Sequence, residues 1–301
     1  MGDIEQYAER IPSVKKVILR IIGVLFLVVG VTLASYPFIS NYLMSLNHSS
    51  QIAEQKNAVA QAGKDVLRQE RFNAETYNKS LKGTVIIADP FDPNVVINTD
   101  MEYEQLLNLN NDSIMGSVEI PKIDVELPIF HGTTPEVLLK GAGHLPSTSL
   151  PVGGPSTHAV ITGHTAVSNA VLFTDLNQLV EGDVFFIHVL GDTLAYQVDQ
   201  IRVILPTETK YLKIVEQEDY VTLVTCTPYG INSHRLLVRG TRIPYEETEK
   251  MEEHTKPVES TWMHEYKRAL FIGAIALAAV VVIFIVVRII LAMRRKKREI
   301  L

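Results

Sequence analysis

Two long uncharged segments, one near each end of the chain, constrain its fold more than any other feature. Residues 21–39 and 269–287 contain no charged side chain, and about 20 consecutive apolar residues are enough for a helix to cross a bilayer. Basic residues precede the first segment, and residues 294–298, which follow the second, are all basic. Because positive charge stays on the cytoplasmic side, both chain ends are predicted to be cytoplasmic and residues 40–268 to lie outside the cell.

The spans divide the ends of the chain into membrane and soluble parts. The predicted parts are a cytoplasmic N-terminus (1–20), a transmembrane helix or signal-anchor (21–39), a helical extension (40–84), an acidic linker (246–268), a transmembrane helix (269–291) and a basic cytoplasmic tail (292–301). Two alternatives stay open: the first span could be a cleaved signal peptide, and either span could be a buried core helix. Tyr36 and Tyr42 favour a retained anchor, because tyrosine is enriched at membrane interfaces. The helical extension could pack on the domain or form a stalk.

Between the spans, short apolar runs separated by turn residues predict a mainly β domain. Residues 115–131 alternate apolar and charged side chains, and residues 184–190 and 194–203 flank Gly191-Asp192 as the strands of a hairpin would. Residues 172–179 are expected to form a short helix. Many short strands with few long helices indicate a closed barrel or a sandwich.

The single cysteine, Cys226, ends an apolar run and is followed by a turn and by a second apolar run that contains Arg235. Strand, turn and strand in this order place one thiol and one guanidinium at adjacent strand ends. One cysteine excludes an internal disulfide, and a free thiol outside the cell is either an inert core residue or a nucleophile. A net charge of -6 argues against a nucleic-acid partner. Since no paired-Cys, H-E-x-x-H or nucleotide-binding glycine pattern occurs, we predict no metal and no cofactor.

A thiol nucleophile needs a cationic neighbour or a base, and histidine is the usual partner. Five of the nine histidines are poor candidates, because they lie near the apolar spans, inside a predicted strand or next to Arg235. The remaining four are His131, His144, His158 and His164. His164 is favoured because it follows an apolar strand in a Gly-flanked loop, where functional side chains collect, and His144 is second. No Asp or Asn stands out as a third member that would orient the imidazole. Arg235 could stabilise an oxyanion or form a surface salt bridge.

Three ordered motifs resemble the sortase family: T-G-H-T at 162–165, T-L-V-T-C-T-P-Y-G at 222–230 and H-R-L-L-V-R-G at 234–240. Carried over position by position, the resemblance implies His164, Cys226 and Arg235 as catalytic residues. The chain resembles class C, the pilus-assembling sortases, in having a C-terminal span after the domain. It also resembles that class at Asp89, Pro90 and Phe91, which match its lid motif of Asp, Pro and an aromatic residue.

The resemblance implies a fold and a place for each part. The fold is a mainly β, closed eight-stranded sortase barrel with short helices, and the N-terminal helical extension and the transmembrane helices at both ends are added to it. The lid would occupy residues 85–95 and the catalytic barrel residues 96–245. Within the lid, Asp89 would engage Arg235 or the thiol side, and Phe91 would cover Cys226.

The implied activity is that of a membrane-anchored cysteine transpeptidase whose catalytic domain is extracellular. It would cleave a Leu-Pro-x-Thr-Gly-like sorting signal between Thr and Gly through a thioacyl-enzyme. It would then join the signal to a lysine amine of another pilin subunit, so its partners would be pilins and the bilayer. Two alternatives stay open: a wall-anchoring sortase that uses a peptidoglycan-precursor amine, and a tethered β domain that binds without catalysis.

Overall fold

The computed structural model describes residues 14–81, 89–92, 101–165, 170–248 and 256–299. Its strands are β1 (Ile114–Ile120), β2 (Val125–His131), β3 (Ala142–His144), β4 (Thr157–Thr162), β5 (Val184–Val189), β6 (Asp192–Ile204), β7 (Asp219–Thr227) and β8 (His234–Ile243). Its α-helices are α1 (Val14–Gln61), α2 (Lys64–Ser80), α3 (Met101–Gln105), α4 (Pro135–Leu138), α5 (Tyr245–Thr248) and α6 (Thr261–Glu299). Short 3-10 turns occur at Pro121–Ile123, Leu176–Gln178 and Thr209–Leu212.

The eight strands close into a barrel in the order β1-β2-β3-β4-β7-β8-β6-β5. The pairs β2–β3 and β4–β7 are parallel, and the remaining pairs are antiparallel. An eight-stranded barrel is just wide enough for side chains to fill its interior, and here that interior is packed with buried apolar side chains such as Phe185 and Ile161. The predicted closed barrel is therefore confirmed, and the sandwich alternative is wrong.

The helical extension packs on the barrel. Helix α1 continues beyond its apolar part, and its Ile52 and Val59 are buried. Helix α2 is held by Asn78, whose amide donates to the carbonyl of Leu150 at 3.1 Å while its side-chain oxygen accepts from the Leu150 N–H at 2.7 Å. Because both bonds are buried, they tie α2 to one loop of the barrel, and the stalk alternative does not hold for this part.

Two helices among the described residues are long and apolar enough to cross a membrane, over Arg20–Gln61 of α1 and Thr261–Ile290 of α6. The most apolar 18 residues of the two helices have mean hydropathies of 2.2 and 3.3, and these residues are not buried in the protein. The two helices meet at an aromatic cluster of Phe38, Trp262 and Tyr266, with ring centroids 4.7 to 5.8 Å apart. The two apolar helices therefore contact each other at Phe38 of α1 and near the start of α6.

Some sequence predictions lie outside the described residues or differ in detail. Of the predicted lid, residues 89–92 are described, while residues 85–88 and 93–95 lie outside the described residues, as do residues 1–13, 249–255 and 300–301. The expected helix at 172–179 is only a 3-10 turn at Leu176–Gln178. The preceding Asp175 turns its carboxylate to residues far along the chain instead of capping this turn.

Candidate active site

Cys226 and Arg235 are direct cross-strand partners near the ends of β7 and β8. The turn between the strands is closed by the N–H groups of Ile231 and Asn232, which both donate to the carbonyl of Pro228, at 3.1 and 2.9 Å. Directly opposed residues of an antiparallel pair have Cβ atoms about 4.5–5.5 Å apart. The hairpin alone therefore brings the thiol and the root of the guanidinium side chain together.

His164 reaches the same end of the barrel through the parallel pair β4–β7. The last paired residues are Thr162 and Val224, and the N–H of Gly163 still donates to the Val224 carbonyl at 3.0 Å. His164 and Cys226 each lie two residues beyond this pair, so they leave neighbouring strands at the same level. Only glycine fits at 163, because a Cβ there would lie 2.6 Å from the ring of Phe173.

The carboxylate of Asp89 binds the guanidinium of Arg235 with two hydrogen bonds. Nε donates to Oδ1 at 2.8 Å and one terminal nitrogen donates to Oδ2 at 2.5 Å. The other terminal nitrogen donates to the backbone carbonyls of Asn232 and His234, at 3.0 Å each. Since both side chains are about nine-tenths buried, this is a desolvated bidentate pair with well-defined geometry.

Residues 89–92 form a tight turn over the site. The Asp92 N–H donates to the Asp89 carbonyl at 3.2 Å, and Pro90 is buried. The ring of Phe91 lies 5.0 Å from the guanidinium carbon of Arg235 and 5.5 Å from the imidazole ring of His164. Phe91 also packs against a buried apolar cluster of Leu145, Val160, Ile204, Leu212, Val224 and Leu237. The turn thus contacts the guanidinium and the imidazole at once.

The covered site keeps the thiol and the imidazole neutral near pH 7. Cys226 is only 8% exposed. Burial raises the pKa of its thiol to about 11; the Arg235 guanidinium opposes this shift and the Asp89 carboxylate adds to it. Burial also lowers the pKa of His164 below its ordinary value of 6.5. In this arrangement the thiolate, which is the nucleophilic form, is scarce.

The other three candidate histidines are structural. His144 is fully buried, bonds to the Tyr103 hydroxyl and the Ser149 carbonyl, and has a pKa lowered by burial to about 4. Both ring nitrogens of His131 face backbone carbonyl oxygens, at 2.7 and 3.0 Å. His158 bonds to the backbone carbonyl of Lys213 and to the hydroxyl of Thr222, and burial lowers its pKa to about 4.

Sequence reasoning missed several contacts that shape the site. The sequence pattern did not indicate that Phe91 would contact His164 or that Phe173 would be the residue that packs on Gly163. It also did not indicate that one terminal nitrogen of Arg235 would donate to backbone carbonyls. The glycine in T-G-H-T was the local signal for the contact at Gly163, because a glycine at a strand often marks a place where other atoms approach closely.

The strands form a closed β-barrel, and a thiol, an imidazole and a guanidinium lie together at one end of it. Comparison with known proteins shows which family has this arrangement. Residues 118–243 match the sortase domain family. The chain is 47% identical to the solved sortase C-1 of Streptococcus pneumoniae, with a TM-score of 0.61, covering 65% of this chain and 99% of that one.

Two further relatives agree with this match. Sortase C-1 of Actinomyces oris is 49% identical with a TM-score of 0.57, and the match covers 60% of this chain and 99% of that one. Sortase A of Bacillus anthracis is 26% identical over 228 residues, 75% of this chain and 95% of that protein. The chain belongs to the sortase family of cysteine transpeptidases. The solved sortase C structures are more similar to it than the sortase A relatives are, as the predicted class C resemblance requires.

Proposed function

We propose that this sortase is a membrane-anchored pilin polymerase. It would cleave a Leu-Pro-x-Thr-Gly-like signal between Thr and Gly and transfer the new Thr carbonyl to a lysine amine of another pilin subunit. The observation that carries the proposal is the convergence of Cys226, His164 and Arg235 beneath the turn at 89–92. A similar protein supports the pilin part: the crystal structure of a Streptococcus pneumoniae sortase C, 44% identical to this chain, gives insights into catalysis and pilin substrate specificity.

Each of the three side chains has a role that its chemistry supports. With its proton held by His164 as an imidazolium, the thiolate of Cys226 attacks the Thr carbonyl carbon, and Arg235 donates hydrogen bonds to the resulting oxyanion. His164 then gives its proton to the Gly amine as the C–N bond breaks, which leaves a thioester on Cys226. A lysine amine attacks this thioester and loses a proton to His164, the thiolate leaves, and an isopeptide bond forms.

The turn at 89–92 would act as a lid that holds the enzyme at rest. While Asp89 occupies the guanidinium, Arg235 has fewer donors to offer an oxyanion. Burial raises the pKa of the thiol to about 11 and lowers the pKa of the imidazole, so the pair of thiolate and imidazolium is rare in the covered site. Opening the lid would hydrate the thiol and release Arg235, and both changes favour the reaction.

The two apolar helices support membrane anchoring. Their exposed side chains would cost too much free energy in water and suit lipid instead. The basic residues outside both spans would keep the chain ends in the cytoplasm and the barrel outside. An extracellular barrel would face pilins that arrive at the cell surface.

The full chain in lipid nanodiscs, mixed with a pilin that has the sorting signal and an acceptor lysine, tests the proposal. We expect SDS-resistant pilin ladders from the wild type and none from Cys226→Ala or His164→Ala. His188→Gln is a matched control, because His188 bonds to Glu119 on the barrel wall, away from the three candidate residues, and should leave the ladders unchanged.

Competing amines and a thiol-reactive peptide separate the alternatives. A peptidoglycan-precursor amine that captures all of the product, with no ladder from the pilin, would establish a wall-anchoring sortase instead. The peptide, which carries the sorting sequence, should form an adduct at Cys226. No adduct, even when Phe91→Ala opens the site, would leave a domain that binds without catalysis.

A further inference from the structure

The connection from β4 to β5, which carries His164, is held by both apolar helices. We infer that Asp175 is a positioning residue that couples the docking of α6 to the placement of the His164 imidazole. The inference rests on the proposed function for the role of His164. If the inference is correct, the contacts between the barrel and the two apolar helices contribute to catalysis.

The contact with α6 is made at the first residues of that helix. Asp175 is 1% exposed. Its Oδ1 accepts from the Thr261 N–H at 2.8 Å, and its Oδ2 accepts from the Ser260 hydroxyl. Gln178 adds a bond from its side-chain amide to the Thr261 hydroxyl at 2.9 Å. A carboxylate at a helix N-terminus satisfies free N–H groups and interacts favourably with the helix dipole, so the carboxylate and the helix stabilise each other.

The contact with α1 is made four residues earlier in the same connection. The N–H of Val171 donates to the side-chain oxygen of Asn41 at 3.1 Å. Asn41 lies on α1 just beyond Phe38, the residue through which α1 meets α6. One short stretch of chain is therefore bonded to both helices at the level where they meet each other.

The same stretch reaches His164 through Phe173. The Phe173 N–H donates to the His164 carbonyl at 3.1 Å, and the fully buried ring packs on Gly163. Consecutive turns close this stretch, with the Thr174 N–H bonded to the Val171 carbonyl and the Leu176 N–H to the Phe173 carbonyl, at 2.8 and 3.2 Å. Residues 171–176 therefore form one compact unit, and a shift at Asp175 is transmitted to the backbone of His164.

The apolar side chains of this unit, Leu172, Phe173 and Leu176, pack in the core, while a cavity adjoins its other side. The cavity has a volume of about 660 Å³ and lies between α1, the start of α6 and the barrel. Asn41, Leu172, Asp175, Ser260 and Trp262 are among the residues that line it. On the side that faces this cavity, the hydrogen bonds to Asn41, Ser260 and Thr261 hold the unit, and these bonds connect it to both helices.

Asp175→Ser in the full chain in nanodiscs tests the inference. We expect kcat for cleavage of a sorting peptide to fall about 10- to 100-fold, because a misplacement near 1 Å costs this much. KM should stay unchanged, since Asp175 does not touch the peptide site. The reversed pair, Asp175→Ser with Ser260→Asp, restores a carboxylate facing a hydroxyl and should recover most of kcat. The matched control is Glu259→Gln, whose side chain bonds only within its own segment, to Lys267.

A second readout needs no substrate and separates this inference from the proposed function. The rate of Cys226 alkylation against pH should show an inflection where His164 titrates, because an imidazolium favours the nearby thiolate. That inflection should move in Asp175→Ser and return in the reversed pair. If the wild type cleaves no sorting peptide but the inflection still moves, the proposed function fails and the coupling stands.

Three results would overturn the inference. The first is wild-type kcat together with an unmoved inflection in Asp175→Ser. The second is a loss of kcat that the reversed pair does not recover while the thermal unfolding temperature remains at the wild-type value. The third is a loss of equal size in Glu259→Gln, which would assign the effect to α6 in general rather than to Asp175.

Discussion

Replacing Asp89 with alanine should make the Cys226 thiol more reactive. The carboxylate of Asp89 raises the pKa of the thiol directly, and it also binds the guanidinium that would lower that pKa. The substitution removes a negative charge, releases Arg235 and detaches the turn that covers the site. All three changes favour the thiolate, so the pKa of the thiol should fall.

The structure bounds the size of this effect. With a thiol pKa of about 11, roughly 3 in 10⁴ molecules carry a thiolate at pH 7.5; at the ordinary value of 9.0 the fraction would be about 100-fold larger. Burial is the largest cause of the shift, and the substitution removes neither the barrel nor the Phe91 ring, which packs against a buried apolar cluster. We therefore expect a fall of about half to one pKa unit, which is a 3- to 10-fold gain in thiolate.

Alkylation by iodoacetamide, followed by mass spectrometry of the full chain, measures this gain at a single site because Cys226 is the only cysteine. Asp199→Ala is the matched control: Asp199 binds Arg239, on the same strand as Arg235, with bonds of 3.0 and 2.7 Å, and should leave the rate unchanged. In the wild type, at pH values above the range where His164 titrates, the rate should rise about tenfold per pH unit up to pH 9, since the pH stays below the pKa of the thiol.

Two results would refute the reasoning. If folded Asp89→Ala reacts no faster than the wild type between pH 6 and 9, the carboxylate does not suppress the thiolate. If Asp199→Ala accelerates the reaction equally, the cause is a general loosening of β8 and not the charge beside the thiol. Circular dichroism of each variant establishes that the barrel is folded.

Three further changes test other parts of the structure. Phe91→Ala should raise hydrolysis of a short sorting peptide several-fold, because the ring that contacts the imidazole and guanidinium is lost; Phe72→Ala, an exposed ring on α2, is the control. Arg235→Lys keeps the charge but loses the planar fork, so kcat for transpeptidation should fall about 100-fold with folding intact. Asn78→Ala breaks two buried hydrogen bonds and should lower the free energy of unfolding by about 2–3 kcal/mol in urea titrations; Asn73→Ala, which breaks only an exposed bond to Gln69, should lower it far less.

Contrary results would remove the corresponding roles. Unchanged hydrolysis in a folded Phe91→Ala protein would mean that the ring does not restrict access to the site. Wild-type kcat in Arg235→Lys would mean that a point charge is sufficient at that position. Equal stability losses in Asn78→Ala and Asn73→Ala would mean that helix propensity, and not the bond to the Leu150 loop, holds α2 in place.

The sequence alone determined those features whose physical cause is local. The two apolar segments are visible because a helix that crosses a bilayer would need an uninterrupted apolar run of suitable length. The pairing of Cys226 with Arg235 follows from two strands joined by a short turn, since register in a hairpin is set by the turn. The motifs around these residues and around His164 were sufficient to indicate the family.

The tertiary structure alone decided which distant groups meet. Four histidines remained as candidates, and only the parallel pairing of β4 with β7 puts His164 level with Cys226 while the barrel interior encloses His144. The contact of Phe91 with His164 and the bonds of Asp175 to the start of α6 join parts of the chain that are far apart in sequence. Such contacts leave no periodic pattern, because residue spacing encodes the face of a strand or helix but not the element that packs against it.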